Sequence, residues 1–517
     1  MAYPWHPLFA TTPTIMLLLM TCGSPTANVL DATLAIDARE EPIKPSCAQP
    51  RPTYTGAAPA RVDWALEASQ DSTLRDIALM DDSTAVALVS AAQPFTLGGQ
   101  SIAATGKTLA AVVITHSGSV VWHQPLLAGE VYAARATSDG QQGAWVTVYA
   151  RDTVVLGPSQ QRQTLPLSNT QVTLLLLHVR ETGVALAATI SGNVAVDGFI
   201  TATPAGGAII GGALAGETLT ITNAAGEPTT TNVEAGRSHG WWAVFDNSGA
   251  PLQTGIVAGT AHSIVRSVVQ RPGGKLAIAG RFGGFPNGLT AKFGTGPTPK
   301  QLVNVTADDD PSYDAFVAQI AANGESTDAV RIKSYNNSDA DIALVDAGSS
   351  DGAMWGHVQS KSYLTSFDVE PPITFPNPLF EDQSTVGRWD QRGALVEARL
   401  STLMTLLGQR AATATSLGTS TWTAQPGTAA ELAVTVDSAL HTELLLQLNA
   451  NAEVVGARHV GIATANGVWQ PLKLVPTCGT MWFAATTLAG EVRIVGANEV
   501  TLSQPQSRAV IFGAMAM

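Results

Sequence analysis

From Arg61 onward the chain reads as short apolar runs rich in β-branched and aromatic residues, separated by clusters of Gly, Asn, Asp and Ser. Runs bounded in this way predict strands. The clearest are Ala110-Ala111-Val112-Val113-Ile114 before Ser117-Gly118, Trp241-Trp242-Ala243-Val244-Phe245 before Ser248-Gly249, and Asp314-Ala315-Phe316-Val317-Ala318 before Asn323-Gly324. Weaker copies are Thr173 to Val179 before Thr182-Gly183, Val386 to Trp389 before Arg392-Gly393, and Leu444 to Leu448 before Asn451-Ala452. Each predicts a strand, a tight polar turn and a second strand, which is the signature of a hairpin.

The turns centre on positions 118, 183, 249, 324, 393 and 452, a quasi-constant period that predicts an array of supersecondary units rather than independent domains. Two more runs precede each hairpin, as in Ser263 to Gln270 and Lys275 to Phe282, joined by Arg271-Pro272-Gly273-Gly274. Four-stranded units arranged radially make propeller blades. At the C-terminus Arg508 to Phe512 begins a strand with no partner after it, while Val62-Asp63-Trp64-Ala65-Leu66 near the N-terminus resembles the fourth-strand run Val120-Val121-Trp122. The expected fold is therefore all-β: a seven-bladed β-propeller of four-stranded blades over residues 57–517, about 66 residues per blade, with the ring closed by the N-terminal strand. One stretch conflicts. Ala394 to Ala411 carries Leu395, Leu400, Leu403 and Leu406-Leu407 among good helix formers, whereas the repeat register makes it a fourth strand followed by the next unit's first strand. We favour the register.

The fourth unit, with Ile278-Ala279-Gly280-Arg281-Phe282-Gly283 and then Asp314 to Asn323-Gly324, resembles the bacterial β-propeller (SBBP-like) repeats of secreted and cell-surface proteins. Other units keep the hydrophobic frame and turn but lose the Asp. The resemblance implies a scaffold with binding faces and carries over no catalytic residue set.

Composition agrees with many short strands: 45% hydrophobic, 13% charged, with 48 Gly and 29 Pro. The net charge of −13 and the lack of any Lys/Arg cluster argue against nucleic acid as a partner. They leave a polybasic membrane patch equally unsupported. Residues 1–22 read as a signal peptide, with a short apolar stretch from Ile15 to Met20 but no Lys or Arg before it. Leu19-Met20-Thr21-Cys22 resembles a bacterial lipobox, with Met20 and Thr21 where smaller residues are usual; this implies lipidation at Cys22 as the one route to a membrane. Residues 23–56 form a Pro/Ala-rich linker. With Cys22 used or removed, Cys47 and Cys478 remain, and we expect them to form one disulfide in an oxidising compartment. The protein is expected outside the cytoplasm, on a bacterial surface or secreted, as a monomer.

Candidate chemistry is sparse. No Gly-x-Ser-x-Gly elbow, His-Glu-x-x-His or phosphate loop occurs, and Ser349 to Trp355 reads as an ordinary turn. Asp308, Asp310 and Asp339 stand in acidic loop segments of one unit; carboxylates on loops suit calcium, and equally suit solvated turns. Long insertions at roughly 214–239, 283–313 and 360–385 fall on one face. The last holds Tyr363, Phe367, Phe375 and Phe380 among prolines, placed either to stack on a ligand or to fold back and cap a blade edge. Three functions fit: a non-catalytic binding or scaffold propeller recognising a protein or glycan on the long-loop face; a polysaccharide hydrolase or lyase in the central channel, with Asp76, Asp341 and Asp346 the nearest carboxylates; and a structural surface spacer. The first is favoured because the loops differ strongly between units.

Overall fold

The computed structural model describes residues 18–19, 56–59, 61–68, 71–81, 83–104, 106–157, 163–195, 198–284, 288–295, 298–304, 312–334, 340–346, 354–361, 364–376, 382–390, 394–401, 419–424, 432–437, 441–448, 454–464, 468–476, 480–488, 490–502 and 508–516. Among them there is no α-helix, and all sheets are built mainly from antiparallel neighbours.

Five consecutive four-stranded meanders follow the order of the sequence. The first sheet comprises Ser72–Leu79, Thr84–Ala91, Thr108–Thr115 and the start of Val120–Ser138. That last strand is long enough to serve two sheets: its second half opens the second sheet, with Ala144–Leu156, Thr173–Arg180 and Gly183–Ser191. The third holds Phe199–Ala202, Ala208–Leu214, His239–Phe245 and Pro251–Ile256, and the fourth His262–Gln270, Leu276–Gly284, Ser312–Ile320 and Ser326–Ser334. The fifth holds Ala340–Asp346, Met354–Lys361, Asp382–Trp389 and Leu395–Ser401. Leu395–Ser401 is thus a fourth strand, as the register requires, and 402–411 lies outside the described residues. Two hairpins follow, Thr419–Ala424 with Leu432–Asp437 and His441–Leu448 with Val454–Thr464. Short parallel pairings join Leu18–Leu19 to His441–Leu448 and Gly56–Pro59 to Val454–Thr464.

The terminal sheet brings together strands from near the two ends of the chain. Val468–Pro476, Thr480–Thr487 and Ala509–Ala516 are completed by Arg61–Glu67, which pairs antiparallel with Ala509–Ala516 in the register Leu66↔Phe512 and Arg61↔Ala516. Trp64 stands edge-on to Trp482, 5.6 Å between ring centroids. Asn498 clamps the strand by accepting from the Val62 amide (2.7 Å) and donating to its carbonyl (2.9 Å).

Why the runs are apolar at every position, not at every second one, follows from packing. Alternate side chains of one strand enter different cores. Trp241, Ala243 and Phe245 pack with Leu174, Leu176 and Ile190 of the second sheet, while Trp242 and Val244 pack with Val265, Ile278 and Phe316 of the fourth. Leu175 and Leu177 likewise face the first sheet. Further cores join the fourth sheet to the fifth through Ala277, Val317, Leu344 and Trp389, and the terminal sheet to the first through Trp482, Phe512, Ala87 and Val112. Sheets buried on both faces read as continuous hydrophobic runs. Face-to-face packing therefore proceeds from the terminal sheet to the first and on, in order, to the fifth.

Segments between the second and third strands of a unit share a further role. Thr218–Asn223, from the third unit, pairs with Gly183–Ser191, the outer strand of the second sheet. Leu364–Phe367, from the fifth, pairs with Ser326–Ser334, the outer strand of the fourth. Val492–Val495, from the terminal unit, pairs with Val454–Thr464. In each case an insertion covers the edge of the preceding sheet. An uncovered edge is a template for aggregation, so these hairpins protect it.

Candidate functional site

Three of the residues singled out in the sequence, Phe367, Phe375 and Asp76, make contacts within the scaffold. Phe367 is fully buried, at 0% exposure, with Phe375 edge-on to it (centroids 6.2 Å apart) and Trp389 tilted against it (6.3 Å). Both phenylalanines belong to the edge-covering hairpin, so the Phe367 ring has no face to offer a ligand; this is the capping alternative. Tyr363 and Phe380 lie outside the described residues, as do Asp308, Asp310, Asp339, Cys22, Cys47 and Cys478. No cluster of three or more metal-ligating side chains occurs among the described residues. Asp76, 8% exposed, accepts a hydrogen bond from the Ala136 amide of the second sheet (2.9 Å), and so spans two sheets at their first strands. Ser267 does the same toward the Leu344 amide (2.7 Å), between the fourth and fifth. In both strands the residue just before the strut, Arg75 or Arg266, is bulged out of the ladder. Asp341 and Asp346 sit on the first strand of the fifth sheet, opposite Gln359 and Met354.

Two polar clusters were not anticipated. At the turn opening Ala144–Leu156, buried Asp139 accepts from the amides of Gln141 (2.6 Å) and Gly143 (2.8 Å) and bonds His178 Nε2 (2.8 Å), with Arg180 at 3.5 Å. The His178 ring stacks on Trp145 at 4.1 Å. Here a histidine is spent on holding a turn. Among the described residues, Ser238 Oγ lies 3.2 Å from His262 Nδ1, a nucleophile beside a base. The Ser238 amide also donates to that nitrogen (3.1 Å), so Nδ1 is an acceptor and the ring proton sits on Nε2. Burial, then the charges of Arg237 and His239, push His262 below its ordinary pKa.

One cleft of about 200 Å³ is lined by groups that converge from three sheets. The first strand of the first sheet and its lead-in supply Asp71, Thr73 and Arg75; the next two strands supply Ser90, Ala91, Ala92, Lys107, Thr108 and Leu109. Gly129 and Val131 come from the crossover into the second sheet, and Arg508 from the lead-in to the C-terminal strand. The crossover turns at Gly129, with φ at +149°; a Cβ there would lie 2.9 Å from Val154 Cγ1. Any larger residue would therefore both strain the backbone and press into the second sheet. Arg75 is fixed by donating from Nε to Ser90 Oγ (2.9 Å) and from Nη1 to the Tyr132 carbonyl (3.4 Å). Burial, followed by the charges of Arg508 and Arg135, pushes its guanidinium below the ordinary arginine value. Arg75, Lys107 and Arg508 face a single lining carboxylate, Asp71, in a chain whose net charge is −13. Sequence reading missed the site because its cations are far apart along the chain and none belongs to a motif.

No family model matches the chain, and no curated protein matches it.

Proposed function

We propose that the protein is a non-catalytic, extracytoplasmic binding or scaffold propeller, with seven four-stranded blades closed into a ring by the N-terminal strand. The observation that supports the reading is the ordered stack of sheets, from the terminal sheet through the first to the fifth, with Arg61–Glu67 paired to Ala509–Ala516 in the terminal sheet. Five meanders, two separate hairpins and the terminal sheet agree in strand number with seven blades. The cleft opens where the second strand ends and the third begins, on the face that carries the inter-sheet crossover, which favours that face for ligand binding.

A glycan and surface-protein array, run on the whole chain with calcium and with chelator, tests the function. Binding of a glycan or protein without turnover is expected. Release of cleaved polysaccharide would instead establish the hydrolase or lyase, and an empty array would leave only the spacer. Calcium held by Asp308, Asp310 and Asp339 would raise the melting temperature, since binding to the folded state alone at a hundredfold the Kd contributes about 2.7 kcal/mol. No shift at millimolar calcium would return those residues to solvated turns.

Export and the Cys47–Cys478 disulfide stand together. Peptide mapping of unreduced exported protein is expected to recover the cross-linked pair; two free thiols would remove the bond. The same map reads the N-terminus: a lipid on Cys22 marks anchoring, and its absence a secreted form.

A further inference from the structure

We propose that the cleft bounded by Arg75, Lys107 and Arg508 binds a sugar acid, the carboxylate lying among the three cations and the ring hydroxyls against Thr73, Ser90 and Thr108. The assignment rests on the binding reading above and names its ligand class.

Three features of the cleft lead to it. The first is charge. A chain with 41 acidic and 28 basic residues has no general excess of cations, yet three of them line this one cleft against a single carboxylate. A concave, low-dielectric wall of one sign focuses its field on an incoming counter-ion. Arg75, held by Ser90 and by the Tyr132 and Val131 carbonyls, contributes its fixed charge rather than an open fork.

The second is the rest of the lining. Three hydroxyl side chains, Thr73, Ser90 and Thr108, accompany the cations, with Leu109, Val131, Ala91 and Ala92 as the apolar part of the wall. Hydroxyls that both donate and accept suit sugar hydroxyls, and a small apolar wall suits the C–H face of a pyranose. Inorganic sulfate or phosphate would use the cations and leave the remainder idle.

The third is size. About 200 Å³ falls below the roughly 300–1,000 Å³ of drug-sized ligand pockets. It suits one monosaccharide unit, either free or as an exposed residue of an acidic polymer.

Calorimetric titration of the full chain with glucuronate, glucose, acetate, inorganic sulfate and a galacturonate oligomer tests the assignment. Glucuronate is expected to bind and to weaken as salt rises, with glucose and acetate each at least tenfold weaker. A higher affinity for the oligomer than for glucuronate would place the source in a polymer, and equal affinities in the free acid; both support the sugar-acid class. Lys107 is exposed on the cleft rim, so Lys107→Glu can be made without disturbing the core. It is expected to weaken glucuronate at least tenfold while leaving the melting temperature of the unliganded protein unchanged; Arg493→Gln, distant in the terminal unit, should change neither. Sulfate or acetate binding as tightly as glucuronate would overturn the sugar-acid class, and no binding by glucuronate or the oligomer would overturn the site. If the array finds a ligand whose affinity Lys107→Glu does not change, the binding function stands and this cleft is not its location.

Discussion

Deletion of residues 57–67 is expected to make the protein aggregate and to lower its melting temperature. The strand Arg61–Glu67 is the outer member of the terminal sheet, and without it Ile511 to Ala516 loses its partner on that edge while staying paired with Thr480–Thr487 on the other. The loss is more than an edge. Trp64 packs edge-on to Trp482, donates its indole N–H to the His116 carbonyl of the first sheet, and covers Gly118. Removing a fully buried aromatic typically costs about 3–5 kcal/mol, and the partly buried Trp64 should cost less. An exposed edge then offers a second molecule the pairing that the first has lost. Light scattering coupled to size exclusion, with calorimetry, reads both effects. A monomer melting at the wild-type temperature would show that the N-terminal strand contributes nothing to closure. Trp64→Ala keeps the backbone pairing, so it should lower the melting temperature without aggregation and separate the two contributions.

Asp139→Ala is expected to destabilise by about 3–5 kcal/mol, the usual result of stripping one partner from a buried charged network. The carboxylate is 1% exposed and accepts from two backbone amides and His178, with Arg180 beyond. Burial pushes its pKa up, but the hydrogen bonds from His178, Gln141 and Gly143 outweigh burial and hold the carboxyl below its ordinary range. A folded-state value below the unfolded one means a contribution that is full above the unfolded pKa, about 3.9, and is lost as pH falls through the folded value. Asp246 and Asp81, held low by similar turn hydrogen bonds, act in the same direction. Urea midpoints measured downward from pH 7 should therefore fall below about pH 4, and fall less steeply for Asp139→Asn. Parallel curves for the two proteins would mean that Asp139 carries no such contribution.

What the sequence made legible was local. Ser117-Gly118 and Ser248-Gly249 place glycine where the turn needs positive φ (84° at both), and that requirement is met within four residues, so a hairpin can be read from its turn. The strand that meets the C-terminus was visible too, because Val62-Asp63-Trp64 has the same residue pattern as Val120-Val121-Trp122. The edge-covering role of the insertions was not legible. Thr218–Asn223 pairs with a strand of the preceding unit, and nothing in Thr-Leu-Thr-Ile-Thr-Asn names that partner. For Phe367 and Phe375 the sequence left ligand stacking and edge capping both open, since aromatics among prolines carry the same composition whether they face solvent or a core. Leu395–Ser401 had helical composition; pairing with Asp382–Trp389 overrode it. The cleft escaped because position 75 meets 107 only across the first sheet's pairing, and 508 only where the lead-in to the C-terminal strand bonds the Ser72 amide.

The overlapping hairpins also bear on how such a chain can lengthen or shorten over evolutionary time. The third, fifth and terminal units each carry, between their second and third strands, the guard for the outer edge of the sheet before them. Excising one unit as a block would join two sheets that had never been neighbours and confront one bare edge with a hairpin shaped for another. Gain or loss of a repeat thus demands simultaneous changes on both sides of the breakpoint. Repeats constrained in that way are expected to diverge in place while their number stays fixed, as the uneven 59 to 75 residue spacing of these turns suggests they have.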